Sequence, residues 1–233
     1  LEYIKSYVVY RCSFQSDSVT TVISGACGFI TKEIWEATGG WKQGQLGEDM
    51  ELTMNIHSLG GYVKFLPKVL AWTEAPSSIS QLAKQRVRWF RGSLQALTLH
   101  RKLLFGKGNF KLKWLMLPYI WLSGIFGSWV EVAAWVYTAY LFLTNAPIDW
   151  LMWFFIWLFI MCAHYINSIM TIRFVDKKLD VPYEGYKRGY FTAIVEGTTY
   201  HFLYLYWLVK AHLQQVFRTK KKWNKLERVG LKK

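Results

Sequence analysis

Three apolar segments follow one another after Lys113, and a window of roughly 19 residues finds nothing membrane-like before that point. Trp114–Thr144 contains one charged residue, Glu131; Trp150–Ile172 contains none; Tyr190–Val209 carries Glu196 and His201. A helix rises about 1.5 Å per residue and a bilayer core needs about 20 residues, so each segment is long enough to cross. The first has length to spare, for a tilt or for an interfacial turn at Pro118. A core helix of a large soluble protein passes the same test singly, but three in succession with Trp and Tyr at their ends point to lipid.

The flanking charges give an orientation. Arg101, Lys102, Lys107, Lys111 and Lys113 precede the first segment without an acid among them, the connector 145–149 holds no Lys or Arg, and 173–189 is again basic. The first two segments therefore read as a hairpin entered from the cytoplasm. The third conflicts with the rule, because the tail 210–233 carries nine basic residues and a third full crossing would put it outside. Three resolutions stay open: a re-entrant third segment around Glu196-Gly197, a first segment that is not a simple span, or an exceptional tail.

Composition excludes other classes. Apolar residues are 52% and aromatics 18% of the chain, too much for a disordered segment or a basic nucleic-acid arm. The net charge of +14 sits beside apolar runs, which points to anionic headgroups rather than nucleic acid. Cys12, Cys27 and Cys162 are an odd number at wide spacing and read as reduced, partly buried thiols. The five histidines have no metal-ligand spacing, so no metal is assigned to them. Glu131, Glu196 and His201 are costly in apolar spans and are expected to face a bundle interior or polar conduit, with snorkelling as the alternative for Glu196. The chain opens Leu1-Glu2-Tyr3 with no leader pattern, and the expectation is a piece of a longer protein.

Residues 1–100 read as mixed α and β. Thr31 caps a helix over Lys32–Thr38 that stops at Gly39-Gly40. A second helix opens at Glu48-Asp49 and runs to Gly60-Gly61 with Leu52, Ile56 and Leu59 on one face. Two short strands follow, Tyr62–Leu66 and Val69–Thr73. Ser78 and Gln81 form a capping box for a helix reaching about His100. On it Ala83, Val87, Phe90, Leu94 and Leu97 make a narrow apolar stripe, while Gln85, Arg88 and Trp89, at i, i+3 and i+4, centre roughly 160° away. One side suits a bilayer surface or core. The other collects a guanidinium suited to phosphate, an amide for a hydroxyl or carbonyl, and an indole face for a sugar or base. Solvated polar residues on an amphipathic helix meet the same spacing.

Glu48 and Asp49 stand after a glycine-bearing loop at a helix entrance, where a carboxylate can take a proton from an attacking hydroxyl; a simple preference for acids at helix starts gives the same pattern. Ser24-Gly25-Ala26-Cys27-Gly28 is a small-residue turn that lets a ligand approach the backbone. Cys27 lacks a nearby His base and reads as a packed thiol rather than a nucleophile.

In order, Ser24-Gly25-Ala26-Cys27-Gly28, Gly39-Gly40-Trp41, Gly47-Glu48-Asp49, Trp72-Thr73-Glu74 and Gln85-Arg86-Val87-Arg88-Trp89, followed by membrane segments, resemble the second half of processive, membrane-embedded family 2 glycosyltransferases. The likeness is nearest to bacterial poly-N-acetylglucosamine synthases and more distant to cellulose, chitin and hyaluronan synthases. It rests on the Glu-Asp motif together with Q-x-x-R-W at this separation. The resemblance implies an α/β GT-A catalytic domain whose C-terminal half is 1–77, an interfacial helix region at 78–113, and an all-α membrane bundle at 114–233 with segments 114–144, 150–172 and 190–209. It implies that Asp49 is the catalytic base, with Glu48 beside it. Gln85, Arg88 and Trp89, with the turn Gly25, Ala26, Cys27 and Gly28, would hold donor diphosphate and acceptor: Arg88 on the diphosphate, Trp89 beneath the terminal sugar.

The same resemblance implies an inverting transfer from a UDP-sugar, most simply UDP-N-acetylglucosamine, to a growing β-linked polysaccharide that passes through the membrane helices. The setting would be multi-pass in the inner or plasma membrane, the catalytic part cytoplasmic, with a small accessory membrane subunit as a possible partner. The family's divalent metal, Mg or Mn, is held by an upstream D-x-D. This sequence contains no D-x-D, so the donor half is expected outside it and the piece alone is expected to be inactive. Gly47 stands where cellulose synthases usually have Thr, which argues against cellulose. The competing readings are a non-processive transferase with a lipid acceptor and a non-catalytic membrane scaffold or translocation subunit.

Overall fold

The computed structural model describes residue 5 and residues 19–66, 71, 73–105, 109–179 and 186–220. The chain forms two compact units, one from Ser13–Tyr119 with Tyr206–Lys233, the other from Leu1–Cys12 with Ile120–Leu205.

In the first unit, α1 (Lys32–Thr38) begins as the sequence predicts: the Thr31 side chain accepts from the Ile34 N–H, and the helix ends on Gly39 at φ 72°, a conformation that costs glycine little. α2 (Glu48–Ser58) has no side-chain cap at Gly47; instead Glu48, Asp49 and Glu51 in its first turn face the positive end of the helix dipole. Its burial is wider than one stripe. Met50, Glu51, Leu52, Thr53, Met54, Ile56 and His57 are all buried, so α2 is a central helix, while Leu59 turns out as its C-terminal cap and is exposed. Leu52 and Ile56 form a small core with Val63, against which Ile23, Ile30 and Ile34 pack.

The strand predicted over Tyr62–Leu66 is reduced to an isolated parallel bridge between Val63 and Val19, and among the described residues there is no β-strand. A strand exists through its ladder, and among the described residues only Val19 supplies a partner. Most of the predicted strand Val69–Thr73 lies outside the described residues. The α/β expectation is thus met only in its helices.

α3 (Ile79–Leu99) starts at Ser78, whose hydroxyl accepts from the Gln81 N–H at 3.2 Å. The return half of the capping box shifts by one residue: Gln81 Oε1 accepts from the Ser77 N–H at 3.2 Å rather than from Ser78. α3 packs along α2, and the face turned inward is the polar one, Gln85, Arg86, Gly92, Gln95 and Ala96, with Leu97 from the apolar stripe. Ala83, Val87, Phe90 and Leu94 stay only half-buried.

Two helices among the described residues are long and apolar enough to cross a membrane: α4 (Leu112–Leu143) and α5 (Trp150–Leu179), the latter qualifying over Trp150–Lys177. Proline has no N–H and its ring crowds the preceding turn, yet α4 does not break at Pro118; it takes wide π-type turns over Leu112–Met116 and Ile120–Gly127 on either side. The third predicted segment lies in α6, a helical run over 186–216 whose middle, Glu196–Tyr200, is another π-type turn. The helical run is continuous through Glu196-Gly197. Large apolar side chains along α4 and α5, among them Leu122, Phe126, Val136, Phe142, Leu151, Phe155 and Phe159, are exposed. So much contiguous apolar surface is a liability in water and an asset in lipid.

Within the second unit the polar residues of these helices find one another. Glu131 of α4 accepts from or pairs with His201 Nε2 at 2.7 Å, and the His201 and His164 rings lie 5.2 Å apart by their centroids. Glu196 takes the Ser168 hydroxyl at 3.2 Å and pairs with Lys5. The expectation that Glu131, Glu196 and His201 face an interior holds.

Candidate active site

The unit containing α2 and α3 gathers most of the predicted site. Asp49 is fixed through both its backbone and its side chain. Its carbonyl accepts from Thr53 Oγ1 at 2.7 Å, and that hydroxyl in turn accepts from the Ile23 N–H at 2.8 Å, which fastens the start of the 24–28 turn to the first turn of α2. The turn closes by a Cys27 N–H to Ser24 carbonyl bond at 3.1 Å. The result is that Gly25 faces Asp49: a Cβ added there would stand 3.5 Å from Asp49 Oδ2. Asp49 Oδ1 accepts from the Met50 N–H at 2.8 Å, so one carboxylate oxygen is held and the other looks onto a turn with no side chain at that position.

Of the remaining turn residues, Ala26, Cys27 and Gly28 are exposed. The thiol prediction needs correction: Cys27 and Cys162 are both exposed rather than packed, because the turn projects its tip outward and α5 turns Cys162 to its outer side. Cys12 lies outside the described residues.

Glu48 is half-buried, and its Oε2 is buried without a hydrogen-bond partner among the described residues. Burial pushes its carboxyl above the usual carboxylate range. A backbone hydrogen bond and the Arg88 guanidinium pull it back, and the neighbouring Asp49 charge adds to the rise. Arg88 is thus electrostatically in reach of Glu48, and its Nη1 donates to the Leu46 carbonyl at 3.2 Å. Gln85 Oε1 accepts from Arg86 Nη1 at 2.9 Å, and the Arg86 guanidinium lies 4.4 Å from the centroid of the Trp89 ring. Gln85, Arg86 and Trp89 form one packed group, and Gln85 is buried rather than presented to solvent as its place on the polar face suggests.

Sequence reasoning passed over the part that five residues play here. Gln95 and Gly92 lie on the same side of α3 as Gln85 and Arg88: Gln95 Oε1 accepts from the Leu46 N–H at 3.2 Å, and Gly92 touches the backbone of Gly47. The signal was a glycine inside an otherwise regular helix, which commonly marks close backbone packing. Glu51, fully buried, is held by Lys42 at 2.7 Å and His100 at 3.0 Å, tying α2 to the end of α3. Three ordinary-looking polar residues spread over the sequence give no pattern to read. Among the described residues no group of His, Cys, Asp and Glu is placed to hold a metal ion.

Comparison with known proteins fits this arrangement. Residues 3–170 match the family described as Glycosyl transferase family group 2. The chain is 27% identical over 219 residues to the "Probable glycosyltransferase YdaM" of Bacillus subtilis (strain 168), covering 88% of this chain and 49% of that protein. It is 29% identical over 92 residues to the poly-beta-1,6-N-acetyl-D-glucosamine synthase of Staphylococcus epidermidis, 38% of this chain and 22% of that one. It is 34% identical over 93 residues to cellulose synthase A catalytic subunit 9 of Oryza sativa subsp. indica, 39% of this chain and 9% of that one. The chain therefore spans about half the length of the first relative and less of the others. No solved structure matches it. With a family match over most of its residues, the chain belongs to the family 2 group of glycosyltransferases.

Proposed function

We propose that this chain is the acceptor-side and membrane portion of an inverting, processive glycosyltransferase of the GT-A type, which polymerises a β-linked polysaccharide from a UDP-sugar, poly-N-acetylglucosamine being the simplest product. In this reading 1–77 is the C-terminal half of the catalytic domain, 78–113 the interfacial helix region and 114–233 the membrane region, and the chain alone is inactive without a donor-binding half. The observation that carries it is the convergence of Asp49, the Gly25 turn and the Arg88-bearing helix within one packed unit.

The chemistry follows from the residues. Asp49 takes the proton of an acceptor hydroxyl, whose oxygen forms a bond to the anomeric carbon in line with the departing diphosphate oxygen, so the carbon–oxygen bond to the nucleotide breaks with inversion. Gly25 leaves room for that hydroxyl beside Oδ2. Arg88 supplies positive charge where the diphosphate gathers negative charge, and Trp89, steadied by Arg86, offers its ring to the terminal sugar. The family's divalent metal has no ligand set among the described residues, and no step here runs through it.

A membrane setting with α3 at the cytoplasmic face also suits the tail. Arg91 donates to Gln215 Oε1, Thr219 Oγ1 and the carbonyls of Thr219 and Lys220. Residues 219–220 thus lie beside α3, which this reading meets with two crossings, α4 and α5, and none by α6. The basic tail then stays inside, as its charge demands.

Asp49→Asn in the protein expressed from its complete gene tests the reading. Transfer from radiolabelled UDP-sugar should fall on the order of 10²-fold or more with donor binding retained. Undiminished transfer would remove Asp49 as the base.

A further inference from the structure

Gln85, Arg88, Gly92 and Gln95 follow one another on α3 at steps of three, four and three residues, which places them along a single line of the helix. Three of them bear on the main chain of Leu46 and Gly47. Arg88 Nη1 donates to the Leu46 carbonyl at 3.2 Å, Gln95 Oε1 accepts from the Leu46 N–H at 3.2 Å, and Gly92 lies so close to Gly47 that a Cβ on Gly92 would stand 2.5 Å from the Gly47 nitrogen. The Leu46 hydrogen bond to Gln95 is buried, Gln95 itself being 7% exposed. Asp49 begins two residues later, about 7 Å of chain at most, so wherever Leu46-Gly47 is pinned, the carboxylate is set within a narrow range. The pin and the Gln85, Arg88 and Trp89 side chains sit on the same helix.

From this we infer that Gln95 is a positioning residue for the transfer reaction: by accepting from the Leu46 N–H it fixes the distance between the Asp49 carboxylate and the groups on α3 that hold diphosphate and sugar. The inference rests on the reading of Asp49 as the base. Gln95 makes no contact with the reacting atoms in this view and acts only through the main chain of Leu46 and Gly47. A misplacement of about 1 Å between catalytic groups costs up to about 10²-fold in rate, so a loosened pin shows in turnover before it shows in folding.

The test is a double-mutant cycle on the protein expressed from its complete gene, in membranes, using the radiolabelled UDP-sugar that wild-type membranes turn over. Gln95→Met keeps the side-chain volume and removes the acceptor. The expected result is a fall in kcat of about tenfold with donor KM unchanged, and no further fall when Gln95→Met is added to Asp49→Asn, because a base that is already gone has no position to lose. Wild-type kcat in Gln95→Met, or a loss that multiplies with that of Asp49→Asn, overturns the inference and leaves the base assignment standing. Full turnover in Asp49→Asn overturns the base assignment and the inference with it. If Gln95→Met does not reach the membrane, Gln95→Glu decides, since it retains the Oε1 acceptor: kcat within a few-fold of wild type supports the inference, and a large kcat loss at unchanged donor KM refutes it.

Discussion

Replacing Gly92 with Ala probes a close backbone approach in the unit that holds α2 and α3. A Cβ at position 92 would lie 2.5 Å from the Gly47 nitrogen and 2.8 Å from the Gly47 Cα and the Leu46 carbonyl carbon, against 3.4 Å for the onset of ordinary contact. All three are backbone atoms, so no side chain can swing aside. The two backbones must part by about 0.9 Å at the tightest point, and Asp49, two residues beyond Gly47, moves with them. Alanine brings about 1 kcal/mol of helix propensity at a helical site, while forcing extra volume into a packed contact costs about 1–3 kcal/mol. The balance is a destabilisation of up to about 2 kcal/mol, while a displacement near 1 Å costs roughly 10- to 100-fold in a transfer that depends on placement. The assay pairs kcat for UDP-sugar transfer with the melting temperature in detergent. Gly124→Ala is the control, since nothing lies within 4 Å of its added Cβ. A Gly92→Ala protein that melts normally and turns over at the wild-type rate would refute the claim that the Gly47–Gly92 contact places Asp49.

Two further outcomes follow from the same coordinates. His57 is buried between the carbonyls of Thr20 and Gly61, and burial holds its imidazole below the ordinary range; His212, also buried, shifts the same way. A depressed histidine favours the fold while neutral, so stability is full above about 6.5 and declines as acid protonates the unfolded chain first; melting scans between pH 7.5 and 5.5 should show the decline, and His57→Gln should flatten it. Arg91→Ala removes the donors that bind residues 215–220 to α3. Faster tryptic cleavage after Lys220 is expected, from the same membrane side that labels a cysteine placed at Thr98; cleavage from the opposite side would defeat the even-crossing topology.

Local signals in the sequence were strong wherever one residue type has one physical use. Thr31, Gly39 and Ser78 mark helix ends by side-chain caps and a left-handed glycine, and the structure places α1 and α3 accordingly. The apolar runs gave α4 and α5 because length and composition alone decide them. What stayed hidden depends on pairing across distance. Strand Tyr62–Leu66 needed a ladder that only Val19 begins, and Leu59 could not be known to cap rather than pack. At the site, the Glu-Asp and Q-x-x-R-W residues were visible as chemistry. The structure adds that their two elements are joined through the main chain of Leu46 and Gly47, whose amide and carbonyl no side-chain pattern reports. The polar side of α3, read as a ligand face, is also its docking face.

The half-buried acid and imidazole groups of α4, α5 and α6 carry a mechanical consequence. Glu131, His164, Ser168, Glu196 and His201 meet from three helices. Turning any one helix by a single residue, about 100°, would swing a carboxylate or imidazole into hydrocarbon at a cost of several kcal/mol. The cluster acts as a keyway: its contacts favour one angular setting of these three helices against one another.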